Sequence, residues 1–489
     1  MTRLCITVTG STMAEVRARR DAASGLADLV EVRLDGVSDG DPAGAVAGRT
    51  TPVIVACHPA WEGGRFDGPE DARRRLLASA LDAGADHVDV EWRAGFDELV
   101  TGVRRDRVIV SNHVFDGVPA DLDERYRAMR STGAGVVKIA VEPRRLSELA
   151  PLIALSERIK GDRAVLLGMG PRGLATRVLS ARLGSAWTYA GGEAAVGQVP
   201  AAKMIDEFHV RRVTANTDVY GIVGSPVFHS LSPIMHNAGF ADAGIDAVYV
   251  PLDATDADDA LEGAALFDVM GMSVTAPLKV DLMSRVGRVD AVAARVGALN
   301  TLRRVGDGWE ATNTDVAGFL APLKSGTILH GRLVTILGAG GAARAAVVAL
   351  SDAGAILSVS ARRPDAAAAI AALGRGTVTP FPPPAGSWQV LVNTTPVGMD
   401  GFDEASPIDP RLLAGGSLVY DLVYWPPVTR LMSDAQRAGC RTLGGLPMLV
   451  AQAERQFEWW TGLTPRAGLF DEAARARMEG SAFRPAQHE

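Results

Sequence analysis

Of the 50 basic residues in the chain only five are lysine: Lys138, Lys160, Lys203, Lys279 and Lys324. Arginine carries the surface charge, so a lysine inside an apolar strand or a tight turn is a candidate for chemistry arginine cannot perform. Only lysine loses its proton near neutral pH. Two of the five qualify. Lys138 lies in GVVKIAV, flanked by Val136, Val137, Ile139 and Val141. An amine facing inward there is desolvated, its pKa is expected to fall, and the free amine condenses with a ketone to a Schiff base. A protonated imine is an electron sink, so a neighbouring base then takes an α-proton. His113 in VIVSNHVF is the obvious base, and Glu62 in WEGGRF is placed to orient it. Each residue alone has an ordinary structural reading, an interior ion pair or a packed strand end. Together on neighbouring strands they favour chemistry.

The second lysine belongs to another set. Lys279 and Thr275 flank Pro277 in MSVTAPLKV, Asn300 stands in GALNT, Asp315 in TNTDVAGF, and Ser230 and Ser232 in FHSLSP. Hydroxyls before a helix are usually caps. A lysine, an amide, a carboxylate and hydroxyls in one lobe nevertheless suit a polyhydroxylated acid. A third set is the glycine loop of VTILGAGGAARAA, where Gly338, Gly340 and Ala343 follow a strand and open a helix. This strand–turn–helix context makes G-x-G-x-x-A a dinucleotide site, with the pyrophosphate at the helix N-terminus. Ala339, Gly341 and Ala342 complete the loop. About twenty residues on, an NAD site carries Asp or Glu; here Arg362 and Arg363 stand instead, implying a 2′-phosphate and hence NADP.

These sets need elements to hold them. Residues 1–213 contain eight apolar runs, LCITV, LVEVRLD, PVIVACHP, HVDVEW, RVIVSNH, GVVKIAV, AVLLGMG and SAWTYA, separated by helix-like stretches. That outline predicts an α/β fold, a (β/α)8 TIM barrel with its site at the strands' C-terminal ends. Glu31, Arg33, Asp35, His58, Glu62, Glu91, His113 and Lys138 fall there. A turn-rich stretch puts a boundary near Ala215. Beyond it, strands and helices alternate again through a two-lobed unit. Its substrate lobe is expected over residues 218–325, completed by helices at about 446–477, and a Rossmann NADP-binding domain over 326–445. In the last helix, GLPMLVAQAERQFEWW, Gln452 projects back toward the substrate and Trp459 and Trp460 pack.

Composition limits the alternatives. Hydrophobic residues make up 47% and charged residues 22%, no apolar run approaches the ~20 residues of a membrane span, and the net charge of -7 argues against nucleic acid, so small-molecule partners are expected. The three cysteines, Cys5, Cys57 and Cys440, lack metal or disulfide spacing, and the N-terminus lacks a secretory signal. A cytoplasmic enzyme with reduced thiols and no metal is expected.

LVEVRLD, EGG, SNH, VKIA and the later GQ of Gly197 and Gln198 occur in an order that resembles type I 3-dehydroquinate dehydratase across residues 1–213. The resemblance implies Lys138 as the Schiff-base lysine and His113 as general acid and base supported by Glu62. It further implies Glu31, Arg33, Arg177 and Gln198 as substrate-binding groups, Arg177 taking the carboxylate, and Met169 against the ring. The family has arginine where this chain has His58, and usually serine where it has Ala194. His58 is therefore read as a weakened substrate-binding group, and His58→Arg is expected to raise activity.

Residues 218–477 resemble shikimate dehydrogenase through HSLSP, TAPLK, GALNT, NTD, GAGGAAR, NTTPVGM, YDLVY and MLVAQ. That resemblance implies a carboxylate site at Ser230 and Ser232, substrate contacts from Thr275, Asn300, Tyr424 and Gln452, and Lys279 and Asp315 as the catalytic pair. Asn393, Thr394 and Gly445 join the cofactor set. The whole resembles fusions of the two enzymes, which would turn 3-dehydroquinate into 3-dehydroshikimate and then shikimate. The alternative is a dehydrogenase carrying a barrel that is inactive, regulatory or altered in substrate.

Overall fold

A computed structural model of the chain describes residues 2–191, 198–323, 327–400 and 405–480. The eight apolar runs are eight strands: β1 (Leu4–Val8), β2 (Leu29–Arg33), β3 (Val53–Ala56), β4 (His87–Glu91), β5 (Val108–Val114), β6 (Val136–Val141), β7 (Ala164–Gly168) and β8 (Thr188–Gly191). They form one parallel ladder in the order β8-β1-β2-β3-β4-β5-β6-β7. Ala186, just before β8, donates its amide to Ala164 O at the start of β7 at 2.8 Å, drawing the ladder's two ends together into the barrel. Strands covered on both faces read as continuous Val, Ile and Leu runs, and every residue of β6 and β7 is buried. The helix Leu122–Ser131 buries Tyr126 and Met129, while Asp123, Glu124 and Arg130 mark its polar side.

Two strands follow, β9 (Asp218–Gly224) and β10 (Ala247–Asp253). Residues 246–269, which include β10 and the helix Ala257–Leu266, form one compact unit with the barrel. Arg145 pairs with Asp256 at 2.7 Å, and Asp259 accepts the amides of Leu146 and Ser147 at 3.2 and 2.8 Å. Gly263 faces Leu146, and a Cβ there would lie 2.2 Å from Leu146 Cδ2, so this helix needs glycine at the contact.

The second compact unit holds the remaining strands: β11 (Val269–Val274, from Met270), β12 (Arg288–Val289), β13 (Thr301–Val305), β14 (Gly308–Thr312), β15 (Leu333–Leu337), β16 (Ile356–Ser360), β17 (Thr377–Val378), β18 (Val390–Asn393), β19 (Leu418–Asp421) and β20 (Arg441–Leu443). In its first lobe β9, β11, β13, β14 and β12 lie side by side in that order. The second lobe is a parallel sheet in the order β17-β16-β15-β18-β19-β20. The chain leaves β15 toward β16 on one side and reaches β18 on the other, which makes the C-terminal end of β15 a topological switch point, the place where doubly wound sheets bind ligands. No helix among the described residues is long and apolar enough to cross a membrane.

Candidate active sites

The C-terminal ends of the barrel strands surround a cavity of about 260 Å³ lined by Glu31, Arg33, His58, Glu62, His113, Lys138, Met169, Arg177 and Gln198. The glycines of WEGGRF are steric requirements. Gly63 has φ +76°, and a Cβ on Gly64 would lie 1.9 Å from His58 O. This tight loop carries Glu62 to β5, where its Oε1 accepts the backbone amide of His113 at 2.8 Å and meets Nδ1 at 3.1 Å. With Nδ1 donating to the carboxylate, Nε2 keeps its lone pair and is able to accept a proton. Burial, then the nearby Lys138, pulls the His113 pKa below its ordinary value against the opposing pull of Glu62.

Lys138 differs from the sequence expectation. Its Nζ donates to Asp89 Oδ2 at 2.9 Å and to Glu31 Oε2 at 3.4 Å, and lies 4.5 Å from the centroid of the Tyr189 ring. Burial works to depress its pKa, but the Asp89 and Glu31 carboxylates outweigh it and hold the lysine above its ordinary value. The expected depressed lysine is thus corrected to an ammonium held by two carboxylates. Polar atoms of Glu31, His58 and Asp89 lie within 4.8 Å of one another, and the Lys138 ammonium, bonded to two of the three, is the cation this cluster holds.

Arginines around the cavity fall into two kinds. Arg33 is clamped by Asp35 at 2.7 and 2.8 Å. Arg177 is 2% exposed, donates its Nε to Gly168 O at 3.1 Å, and forms no ion pair with any carboxylate among the described residues. Burial without a counter-charge pushes its pKa down to about 10. A buried cation in that state is poised for an anion. Gln198 donates to Thr7 Oγ1 at 3.1 Å, and Thr7 in turn donates to Glu31 Oε1 at 3.1 Å. His58 is 4% exposed and its Nδ1 lies 2.5 Å from Glu91 Oε1, while Arg73 bonds the other oxygen of Glu91. Glu91 thus bonds Arg73 through one oxygen and His58 through the other. Ala194 lies outside the described residues.

In the second unit the structure brings four of the expected residues into one hydrogen-bonded group. Lys279 Nζ donates to Asp315 Oδ2 at 2.5 Å, and Asn300 Nδ2 donates to Asp315 Oδ1 at 2.8 Å and Gln452 Oε1 at 3.4 Å. The main chain sets this up: Leu299 N donates to Lys279 O at 2.8 Å, and Gly318, one turn into the helix Asp315–Leu320, lets Gln452 approach to where a Cβ would be 2.7 Å away. Thr275 follows β11, and Ser230 and Ser232 follow the adjacent β9. Ser230 Oγ accepts the Ser232 amide at 3.1 Å at the start of the helix Ser232–Asp242. Tyr424 and Gly445 line another cavity, of about 490 Å³, with Trp425 and Arg475.

The glycine loop fits a dinucleotide. Gly338 has φ +110° and sits against Thr394, to whose Oγ1 a Cβ would be 2.6 Å. A Cβ on Gly340 would meet nothing within 4 Å, which leaves the space that an approaching phosphate needs. Ala343 is buried where the helix Gly341–Asp352 crosses the sheet, and Ala339 packs at its edge. Arg362 and Arg363 are exposed, with no carboxylate partner among the described residues. A Cβ on Gly341 would come within 3.1 Å of Lys279 Cδ, so the glycine loop and Lys279 adjoin. The Asn393 side chain is fully buried, donating to Asp421 at 2.9 Å and accepting from Thr395, so it holds the loop after β18.

Sequence reasoning missed two residues around Lys138. Asp89 stands in HVDVEW two positions before Glu91, and strand alternation sends both to the same side. Tyr189 lies in the TYA run at a position facing the lysine. Both were findable from strand alternation.

The comparisons with known proteins find a match for each half of the chain. Residues 4–214 match the family model of type I 3-dehydroquinase, residues 222–302 that of the shikimate dehydrogenase substrate binding domain, and residues 445–475 that of the shikimate 5'-dehydrogenase C-terminal domain. The bifunctional 3-dehydroquinate dehydratase/shikimate dehydrogenase of Arabidopsis thaliana, described as chloroplastic, is 33% identical over 91% of this chain and 79% of its own. The NADP(+) shikimate dehydrogenase of Citrifermentans bemidjiense is 42% identical over 54% of this chain and 97% of its own. A crystal structure of a shikimate dehydrogenase in complex with NADP+ superposes with a TM-score of 0.52 at 29% identity, covering 55% of this chain and 98% of that one. With both sets of family signatures present in order and one relative spanning the two, the chain belongs to the bifunctional 3-dehydroquinate dehydratase/shikimate dehydrogenase family.

Proposed function

We propose that the barrel dehydrates 3-dehydroquinate to 3-dehydroshikimate through a Schiff base on Lys138, and that the second unit reduces that product to shikimate with NADPH. The observation that carries the first half is a buried lysine sharing one cavity with the His113–Glu62 pair and a buried arginine that has no carboxylate partner among the described residues. The substrate carboxylate pairs with Arg177, while Glu31, Arg33 and Gln198 meet its hydroxyls and Met169 packs on the ring. The Lys138 amine adds to the ketone and water leaves as the protonated imine forms. His113 Nε2 takes the α-proton, the C–H electrons move into the imine, and His113 returns the proton to the departing β-hydroxyl. Hydrolysis of the imine releases product.

In the second unit NADPH supplies a hydride when bound. The Gly338–Ala343 loop holds its pyrophosphate, Thr394 and Gly445 border it, and Arg362 and Arg363 hold its 2′-phosphate. Lys279 gives a proton to the carbonyl oxygen as it becomes a hydroxyl. Asp315 orients Lys279 and bonds the same hydroxyl, Asn300, Thr275, Tyr424 and Gln452 hold the ring, and Ser230 and Ser232 take the carboxylate. The reading takes the enzyme as cytoplasmic, with its three buried cysteines free.

Borohydride added during turnover of 3-dehydroquinate should leave a substrate-derived mass on the Lys138 peptide, since a secondary amine does not hydrolyse. Dehydration without an adduct would remove the Schiff base from the account. Arg362→Ala should cut NADP preference roughly tenfold or more, the loss of a charge-assisted bond. Equal use of NAD and NADP by the unaltered protein would refute the cofactor assignment.

A further inference from the structure

We infer that His58, held by Glu91, is a second proton carrier in the barrel, serving the making and breaking of the imine while His113 serves the α-carbon. The inference rests on the reading of Lys138 as the imine-forming amine. That amine lies 2.9 Å from Asp89 and 3.4 Å from Glu31, two carboxylates that favour its ammonium form. It must lose a proton before it can attack, and the hydroxyl that later leaves the carbinolamine must gain one. One group that takes the first proton and returns it as the second balances both steps: R–NH3+ and the base give R–NH2 and the protonated base, the amine adds to the ketone, and the protonated base releases water as the C=N bond forms. No net charge or proton is lost.

His58 is built for this. Its ring lines the same cavity, its Nδ1 lies 2.5 Å from Glu91, and its polar atoms lie within 4.8 Å of oxygens on Glu31 and Asp89. Asp89 uses Oδ2 for Lys138, and its buried Oδ1 has no hydrogen-bond partner, so this carboxylate is a stepping point between the amine and the imidazole. The groups facing His58 include Glu31 and Arg33 on β2, Asp35 just after it, Asp89 and Glu91 on β4, His113 on β5, Lys138 on β6 and Arg73 from the helix Glu70–Asp82. The rings of His58 and His113 meet edge on, with centroids 5.1 Å apart. Each histidine has its own carboxylate, Glu91 for one and Glu62 for the other. Two His–carboxylate pairs in one cavity divide two proton transfers between them.

The test separates imine formation from proton abstraction in the full-length chain. His58→Asn and His58→Gln keep a hydrogen-bonding amide near either ring nitrogen but carry no proton. Millisecond quenching with borohydride should show the Lys138 adduct forming at least tenfold more slowly in both. The deuterium isotope effect of substrate labelled at the abstracted α-position should shrink toward one, because imine formation becomes limiting. His113→Asn should do the opposite, accumulating adduct at the unaltered rate without product. Near-UV circular dichroism verifies the barrel in each variant. Adduct formation at the unaltered rate in either folded His58 variant would overturn the inference, as would an undiminished isotope effect accompanying a loss of activity, which marks a binding role. Failure of the unaltered enzyme to give any adduct sinks the Schiff-base reading itself, and is told apart by that control.

Discussion

Arg177 shows how a single residue's surroundings reveal its task. A buried guanidinium with, among the described residues, one backbone acceptor and no carboxylate costs the folded chain stability, and a substrate anion relieves that cost. Arg177→Met should therefore raise KM for 3-dehydroquinate by about ten- to a hundredfold, the worth of a charge-assisted contact, while leaving Tm unchanged or higher. A lowered Tm with unchanged KM would make Arg177 a structural group. His113 gives a pH prediction of definite sign. Burial and Lys138 hold its pKa below the ordinary 6.5, so the neutral base persists as pH falls past that value. The acid limb of kcat/KM for dehydration should have its midpoint below 6.5, and Glu62→Gln, which removes the group pulling the other way, should move it lower still. A midpoint at or above 6.5 contradicts the desolvated base. The chemistry-bearing residues were legible here because five lysines in a chain of arginines are conspicuous. The ionisation of Lys138 was not, since it depends on Asp89 and Glu31 arriving from two other strands.

Elements position these residues through a few backbone constraints, and those constraints are testable separately from the side chains. Gly338 bends β15 into the helix at φ +110°, where a Cβ is both strained and 2.6 Å from Thr394 Oγ1. Gly338→Ala should raise KM for NADPH by roughly tenfold or more, about 1.4 kcal/mol, and leave dehydration unaltered. An unchanged KM would mean that the loop does not cradle the cofactor. All eight barrel strands could be read from the sequence because parallel strands buried on both faces leave unbroken apolar runs between turn signals. The grouping of residues 246–269 with the barrel could not, because it rests on Arg145, Leu146 and Ser147 meeting Asp256 and Asp259 more than a hundred positions away. The internal role of Asn393 was equally hidden. The motif NTTP marks a strand end but does not say that the amide turns inward to Asp421.

At the scale of the whole molecule, the account holds that one chain carries two complete and chemically independent sites. Lys138→Ala should abolish dehydration and leave shikimate oxidation nearly intact, and Lys279→Ala should do the reverse. Loss of both activities from either folded variant would mean a shared site. The most direct measurement gives the purified chain 3-dehydroquinate, with and without NADPH, and identifies the products. The account predicts 3-dehydroshikimate alone in the absence of NADPH and shikimate with matching NADPH oxidation in its presence. Unchanged 3-dehydroquinate under both conditions, while added 3-dehydroshikimate is still reduced, would contradict it and leave a dehydrogenase carrying an inactive barrel.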